Sequence, residues 1–453
     1  MLTSSSTDPR SWLRQQLRDC AYPGYVYGYP HKMAYRPLNK PRSLREVWAG
    51  EDRRNLYCYV HVPFCNQRCS FCNLFTYVPG GVSPTVTYLD TLDREMDAYA
   101  EALTPFSFAR LYLGGGTPTY LTTAELRRLT AALRSRLGVH ADRAHGCIEC
   151  SPETLDQEKV EALRELGFRR VSLGVQSFVP AELRAVNRRF DFARHAQAIR
   201  LLGHARFPEF NLDLIYGLPG QTLASWSRSL AGALDTPATS LFLYPLYVRP
   251  MTGLAARSSL DAPPSPTPHE MAAMYDHAVE RLAASGFRQV TMRQFRRDSA
   301  TDAGEYCCAR DGMVGLGAGA RSYTARLHYS TPWRMAARNI RGVVEQYESH
   351  MRTGDTEVTH GFALDDDEGR RRWVILSLLY DGLDRTEFQR AFDQDAGELY
   401  ADVWSALLDE GCVREEGAAF RLTPRGVRHA DVVGQLFFSG RVRGLMASYE
   451  YDE

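Results

Sequence analysis

Cys65, Cys69 and Cys72 fall within one eight-residue run, Cys65-Asn66-Gln67-Arg68-Cys69-Ser70-Phe71-Cys72. Thiolates are soft ligands, and three in so short a loop can converge on one metal centre. Structural zinc takes four ligands, usually as two separated pairs, and no second pair stands nearby; a three-ligand zinc site remains open. An iron–sulfur cube ordinarily takes four cysteines, so three would leave one iron able to bind something else. Cys58 is a poor fourth ligand. It lies upstream in an extended run, more than about 10 Å away at about 3.3 Å per residue, and reads as a buried structural cysteine.

Other residues carry chemistry by their setting. Asp213 stands inside the apolar run Asn211–Tyr216; a buried carboxylate is costly unless it is paired, so it should face inward and meet a ligand. In Gly146–Glu153 (GCIECSPE), Cys147 and Cys150 are three apart on an extended strand and point to opposite faces, which argues against a metal pair. Successive glycines in Leu113–Leu121 (LGGGTPTYL) let backbone approach a ligand closely. The glycine-rich stretch Gly315–Gly319 reads the same way, as backbone against a nucleoside. Cys307-Cys308 are adjacent, a spacing that rarely serves one ligand.

The elements that must hold these residues alternate. Strands are expected at Tyr57–Val62, Ala109–Leu113, Gly146–Cys150, Arg170–Val175, Asn211–Tyr216 and Leu241–Tyr247. Helices fall between them at Pro84–Ala102, Thr123–Leu137, Gln157–Leu166, Phe192–Leu202 and Leu223–Leu234. That order gives an α/β fold with a parallel sheet and right-handed crossovers, either doubly wound or a curved partial barrel. The triad then sits just after the first strand, at the end where parallel α/β folds place their sites. From about Asp365 the pattern becomes helices followed by a two-stranded wing, Val413–Glu415 and Ala419–Leu422, a winged-helix-like order.

Composition removes several alternatives. The 453 residues carry 54 basic and 54 acidic side chains, so net charge offers no attraction to nucleic acid or an anionic membrane. No apolar run is long enough to span a membrane, and the start lacks a signal-peptide core, so a cytoplasmic chain is expected. Only three lysines occur (Lys32, Lys40 and Lys159), and no GxxxxGK[ST] loop exists; a P-loop or a lysine Schiff base is disfavoured. Lys159 reads as part of a charged helix face. Ten cysteines in a reducing compartment suggest metal or redox groups rather than disulfides.

The run Tyr59–Cys72 (YVHVPFCNQRCSFC) resembles the cluster motif of radical S-adenosylmethionine (SAM) enzymes, specifically their HemN-like branch. The resemblance extends over about residues 55–330 through GGGTP, GCIECSPE, VSLGVQSF…AVNRRF and NLDLIYGLPGQT, and the C-terminal region resembles the branch's accessory domain. It implies a partial (β/α)6 TIM-like barrel at 55–260, after an N-terminal segment, 1–54, covering the barrel mouth. A connecting region at 261–364 and a C-terminal α+β part with a winged-helix-like domain at 365–453 complete the chain. It also implies a [4Fe-4S] cluster on Cys65, Cys69 and Cys72, with SAM on the open iron. One electron, from a low-potential donor such as flavodoxin or ferredoxin, then cleaves SAM to methionine and a 5′-deoxyadenosyl radical.

By the same resemblance, Tyr59, Phe71, Gly115, Gly116, Thr117, Glu149, Gln176, Arg188 and Asp213 orient SAM, two molecules in one cavity. Arg189, next to Arg188, is an alternative contact. Coproporphyrinogen dehydrogenases of the branch carry a further cysteine two residues past the triad, where this chain has Leu74. The expected activity is therefore transfer of a SAM-derived methyl or methylene unit to an unsaturated (sp2) carbon of a small molecule. The alternatives are an oxygen-independent coproporphyrinogen oxidase-like dehydrogenase and a haem-trafficking protein.

Overall fold

The computed structural model describes residues 8–81, 83–256, 263–297, 310–332 and 337–450. Cys307 and Cys308 lie outside them. Thirteen strands form one sheet: β1 (Arg36–Arg42), β2 (Leu56–Val62), β3 (Phe108–Gly115), β4 (Cys147–Cys150), β5 (Arg170–Gln176), β6 (Glu209–Tyr216), β7 (Ser240–Pro245), β8 (Phe287–Gln289), β9 (Gln294–Arg297), β10 (Met313–Leu316), β11 (Arg321–Tyr323), β12 (Leu327–Ser330) and β13 (Val358–Ala363). Their order is β1-β13-β12-β11-β10-β2-β3-β4-β5-β6-β7-β9-β8. The run β2 to β7 is parallel and in chain order. It is the six-stranded partial barrel expected, extended at one edge by parallel β10 and an antiparallel run, and at the other by the β8–β9 hairpin.

Local chemistry sets these elements. The helix Thr123–Leu137 starts on a Thr122–Glu125 capping box and stops at Gly138, which takes the left-handed conformation at φ 64°. Its Leu126, Leu129, Leu133 and Leu137 form a buried stripe at helical spacing. Edge strand β1 carries Pro37 and Pro41, residues that cannot donate to a further strand. Lys159 is not on a solvated face: it is buried, and its Nζ donates to Thr119 O at 2.7 Å, tying the loop after β3 to the helix Gln157–Glu165 that follows β4.

Side chains alternate across the parallel strands. Cys58, Val60, Leu111, Leu113, Ile148, Val171, Leu173, Leu212 and Leu214 point outward and are buried in the main core. Their neighbours on the inner face, Tyr57, Tyr59, Tyr112, Glu149, Arg170, Asp213 and Tyr244, are only half-buried, so the barrel interior is an open, polar lumen rather than a packed core.

A second core joins the chain's two ends. The helix Pro9–Arg18 contributes Trp12, Leu13 and Leu17 to a cluster with Val374, Trp404 and Phe420 of the C-terminal region. There the wing is the hairpin of β15 (Val413–Glu416) and β16 (Ala419–Leu422), joined by the short strand β14 (Leu383–Asp384). The segment between helix and β1 crosses the lumen end of the barrel: Tyr25 packs edge-on to Tyr244 at 6.2 Å, and Val26 N donates to Asp431 at 2.9 Å. Asp431 also pairs with buried Arg293 and accepts from Tyr247. No described helix is long and apolar enough to cross a membrane.

Candidate active site

The cysteine loop follows β2 and is pinned on several sides. Cys65 N donates to Tyr77 O (3.2 Å), Ser70 N to Val186 O (2.9 Å), and Leu254 N to Ser70 O (2.7 Å). Burial pushes the Cys72 thiol up to about 12, and Cys65 and Cys69 push it further the same way, so the three sulfurs share one field. Burial also raises Cys65, against contacts from Thr117 Oγ1 (3.4 Å) and Thr76 Oγ1 (3.1 Å). Among the described residues no three His, Cys, Asp or Glu side chains gather round one point as a single ion would require. Cys58 is fully buried in the main core, its thiol raised by burial, as the sequence indicates for a structural cysteine.

The end of β3 lies flat on this loop because it lacks side chains. Gly115 takes φ 111°, and a Cβ there would come within 2.6 Å of the His61 ring. A Cβ on Gly116 would meet Phe64 O at 2.6 Å, where Gly116 N donates to Val62 O and Thr117 N to Phe64 O. Thr117 is thereby delivered to Cys65. His61 itself is pushed down to about 4 by burial and stays neutral. Its Nε2 donates to Phe75 O (2.7 Å), which leaves Nδ1 to accept from Tyr59 OH at 3.1 Å.

Two carboxyls line the lumen. Glu149 accepts from Tyr112 OH (2.8 Å) and Gly115 N (3.2 Å), and burial raises it to about 7. Asp213 accepts from Ser172 Oγ (3.0 Å) and Asn211 Nδ2 (2.8 Å); burial raises it too, against Arg170. Strand β5 carries a bulge between Gly174 and Gln176, and Gln176 sits at φ 69°. That turn folds the Gln176 amide back over Gly174, where a Cβ would lie 2.9 Å from it. Arg188 shares the spot: Nη2 donates to Gly174 O, and Nη1 reaches Cys69 Sγ at 3.4 Å. Arg189 instead exposes its side chain and gives its N–H to Gln67 Oε1 (2.9 Å). Phe71 packs with Val186, Ile215, Leu218, Leu246 and Tyr244 in a small apolar cluster beside the loop.

All nine residues expected to orient SAM thus lie on or beside one lumen with the three cysteines. Buried Arg188 Nε and Asn211 Oδ1 have no hydrogen-bond partner in the protein, although both point to chemistry that seeks one. The glycines at 315–319 do something else. A Cβ on Gly315 would strike Arg321 O at 2.2 Å, on Gly317 Tyr88 OH at 2.3 Å, and on Gly319 the Phe75 ring at 2.3 Å. They are packed against protein, not left open to a nucleoside.

Sequence reasoning missed a cationic group at the mouth. Lys32 is pushed well down by burial and then by Arg321 and Arg249, with Cys72 acting in the opposite sense. His31 is lowered by burial and by the same three cations. Arg321 lies over the Tyr27 ring at 4.8 Å, and Arg249 over Tyr247 at 5.4 Å, filling the space a Gly24 side chain would need. The only signal in the sequence was the presence of one of three lysines in the aromatic run Tyr22–Leu38.

Residues 59–231 match the family model of the Radical SAM superfamily. The chain is 28% identical over 429 residues to the oxygen-independent coproporphyrinogen III oxidase of Escherichia coli, covering 89% of this chain and 90% of that one. It is 31% identical over 312 residues to the heme chaperone HemW of Synechocystis sp., covering 65% and 71% respectively. The solved structure of the Escherichia coli coproporphyrinogen III oxidase (HemN), a radical SAM enzyme, superposes with a TM-score of 0.80 at 26% identity, over 91% of this chain and 96% of that one.

Proposed function

The chain belongs to the radical SAM superfamily, in its HemN-like branch, and from that premise we propose that it is a coproporphyrinogen oxidase-like dehydrogenase acting on a polycarboxylated tetrapyrrole. The observation that carries this reading is the cationic mouth. Lys32 lies within electrostatic reach of Arg321, Arg249 and Cys72, and His31 within reach of Lys32 and the same two arginines. Burial and these neighbours push Lys32 and His31 toward their neutral forms, and an anion arriving at the mouth would favour their charged forms. Substrate carboxylates are such anions, and a carboxylate is what a coproporphyrinogen oxidase acts on. The methyl transfer expected from the sequence has weaker support, since relatives matched along most of the chain are coproporphyrinogen III oxidases and the heme chaperone HemW.

The residues present fit the family's cofactors, a [4Fe-4S] cluster and SAM. Cys65, Cys69 and Cys72 would hold the cluster, and three thiols leave one iron for SAM. When bound, the pair supplies a radical that abstracts hydrogen from carbon after one electron enters. The protein's part is orientation. Arg188 offers an unsatisfied Nε–H to a carboxylate, the Tyr112- and Gly115-supported Glu149 receives donors, and Asn211 and Ser172 aim Asp213 inward. Phe71 and its apolar neighbours offer a face for a base. Tyr25, packed on Tyr244, covers the lumen end and limits water.

The test is product analysis with anaerobically reconstituted protein, SAM, a reductant, coproporphyrinogen III and a one-electron acceptor for the electron released with CO2. The expected products are 5′-deoxyadenosine and CO2, and Lys32→Met with Arg321→Met should raise the substrate Kd about tenfold or more without loss of iron. A second reading, methyl transfer, is favoured by Leu74 at the position of the extra cysteine. S-adenosylhomocysteine with a methylated product, and no CO2, would replace the first reading by the second.

A further inference from the structure

A radical SAM centre needs an electron from outside the chain, and the surface around Cys69 has the makings of the entry point. Residues 186–189 lie directly on the cysteine loop: Ser70 N donates to Val186 O, Asn187 Nδ2 reaches Arg68 O at 3.5 Å, and Arg189 N donates to Gln67 Oε1. Just beyond, Phe192 is 75% exposed, the most exposed large apolar side chain among the described residues. Arg189 is exposed and the Arg194 side chain is 61% accessible. Arg194 and exposed Asn66 line one groove of about 450 Å³ with Tyr120, Glu153 and Asp156. Although the whole chain is neutral, residues 183–206 hold six arginines, of which Arg188 points inward, and a single acid, Asp191, which pairs with Arg194 at 3.8 Å.

We infer that this face, Arg68, Arg189, Phe192 and Arg194 over Cys69, docks a small acidic one-electron carrier protein of low potential. The inference rests on the radical SAM reading and goes beyond it by naming where the donor sits. Two features select a protein carrier. Positive charge spread round the loop steers an acidic partner, and an isolated apolar side chain inside the charged rim gives the contact a centre. Position supplies the rest. Arg188, next in the chain to exposed Arg189, reaches Cys69 Sγ at 3.4 Å through Nη1, so the segment that carries the face also contacts a thiol of the cysteine loop. A flat phosphate backbone would use the arginines but has no use for Phe192.

The experiment uses the cluster-loaded full chain and the hydroquinone form of a flavodoxin as probe. Cluster reduction is followed by loss of visible absorbance in stopped flow, and complex formation is measured separately by calorimetry. For Arg189→Glu/Arg194→Glu and for Phe192→Ala, the flavodoxin-driven rate should fall about tenfold and the Kd rise as much, while the dithionite-driven rate and iron content stay at the wild-type level. Raising salt should slow the wild type and leave the charge-reversed variant little changed. Equal flavodoxin rates in all three proteins overturn the docking face alone. So does a wild type that binds duplex DNA on this face and no flavodoxin. A wild type that holds no dithionite-reducible cluster overturns the family reading as well.

Discussion

Glu149 is a half-buried carboxyl whose proton can be counted. Burial lifts it from 4.5 to about 7, Tyr112 and Gly115 N oppose the shift, and Asp213 adds to it. The unfolded chain loses this proton near the ordinary value, so in the window between the two the folded state binds more protons. Stability without ligand therefore falls as pH rises through that window, by about 1.4 kcal/mol per unit and about 3 kcal/mol in all. The groups of SAM that could meet this carboxyl, an amine or a ribose diol, donate hydrogen and favour its ionised form. Binding must then expel the proton. The readout is the difference between wild type and Glu149→Gln, which keeps the shape and cannot ionise. Calorimetric titration of the cluster-loaded protein with SAM, in two buffers of unlike ionisation enthalpy, gives the protons released per ligand. The wild type should release about 0.9 proton more than the variant at pH 6 and about 0.1 more at pH 8. A difference that does not change between those pH values refutes a proton-holding carboxyl in the SAM site.

Two further outcomes test the frame. Cys69→Ala should abolish iron loading on anaerobic reconstitution whereas Cys58→Ala keeps it; full iron in the first variant, or none in the second, reverses the assignment. Asp431→Asn leaves Arg293, 5% exposed, buried against a neutral partner that 3% exposed Asp431 had balanced, and should cost about 3–5 kcal/mol in urea unfolding; a loss under about 1 kcal/mol shows that the clamp between barrel, N-terminal crossing segment and C-terminal region holds without its charge.

Residues placed by strand register could be read from the sequence, and residues placed by long-range closure could not. Asp213 inside an apolar strand announces the inner face, and counting by twos from it reaches Asn211 and Glu209, with Ser172 and Arg170 beside them in register. The period of a strand carries that information along the chain. Gln176 defeats the count, because the bulge after Gly174 turns its side chain back by one position. Glycines mislead for a related reason: Gly116 and Gly315 are both demanded by close approach, one to Phe64 O and one to Arg321 O, and nothing in the local sequence says whether the neighbour is protein or ligand. Lys32 is the extreme case. Its setting comes from burial and from Arg321 and Arg249, more than two hundred residues downstream, and Asp431 ties two of the segments involved together at the barrel end through Val26 N and Tyr247. A neutral net charge concealed both this cluster and the arginines over Cys69, since a sum over the chain is blind to which charges the fold brings together.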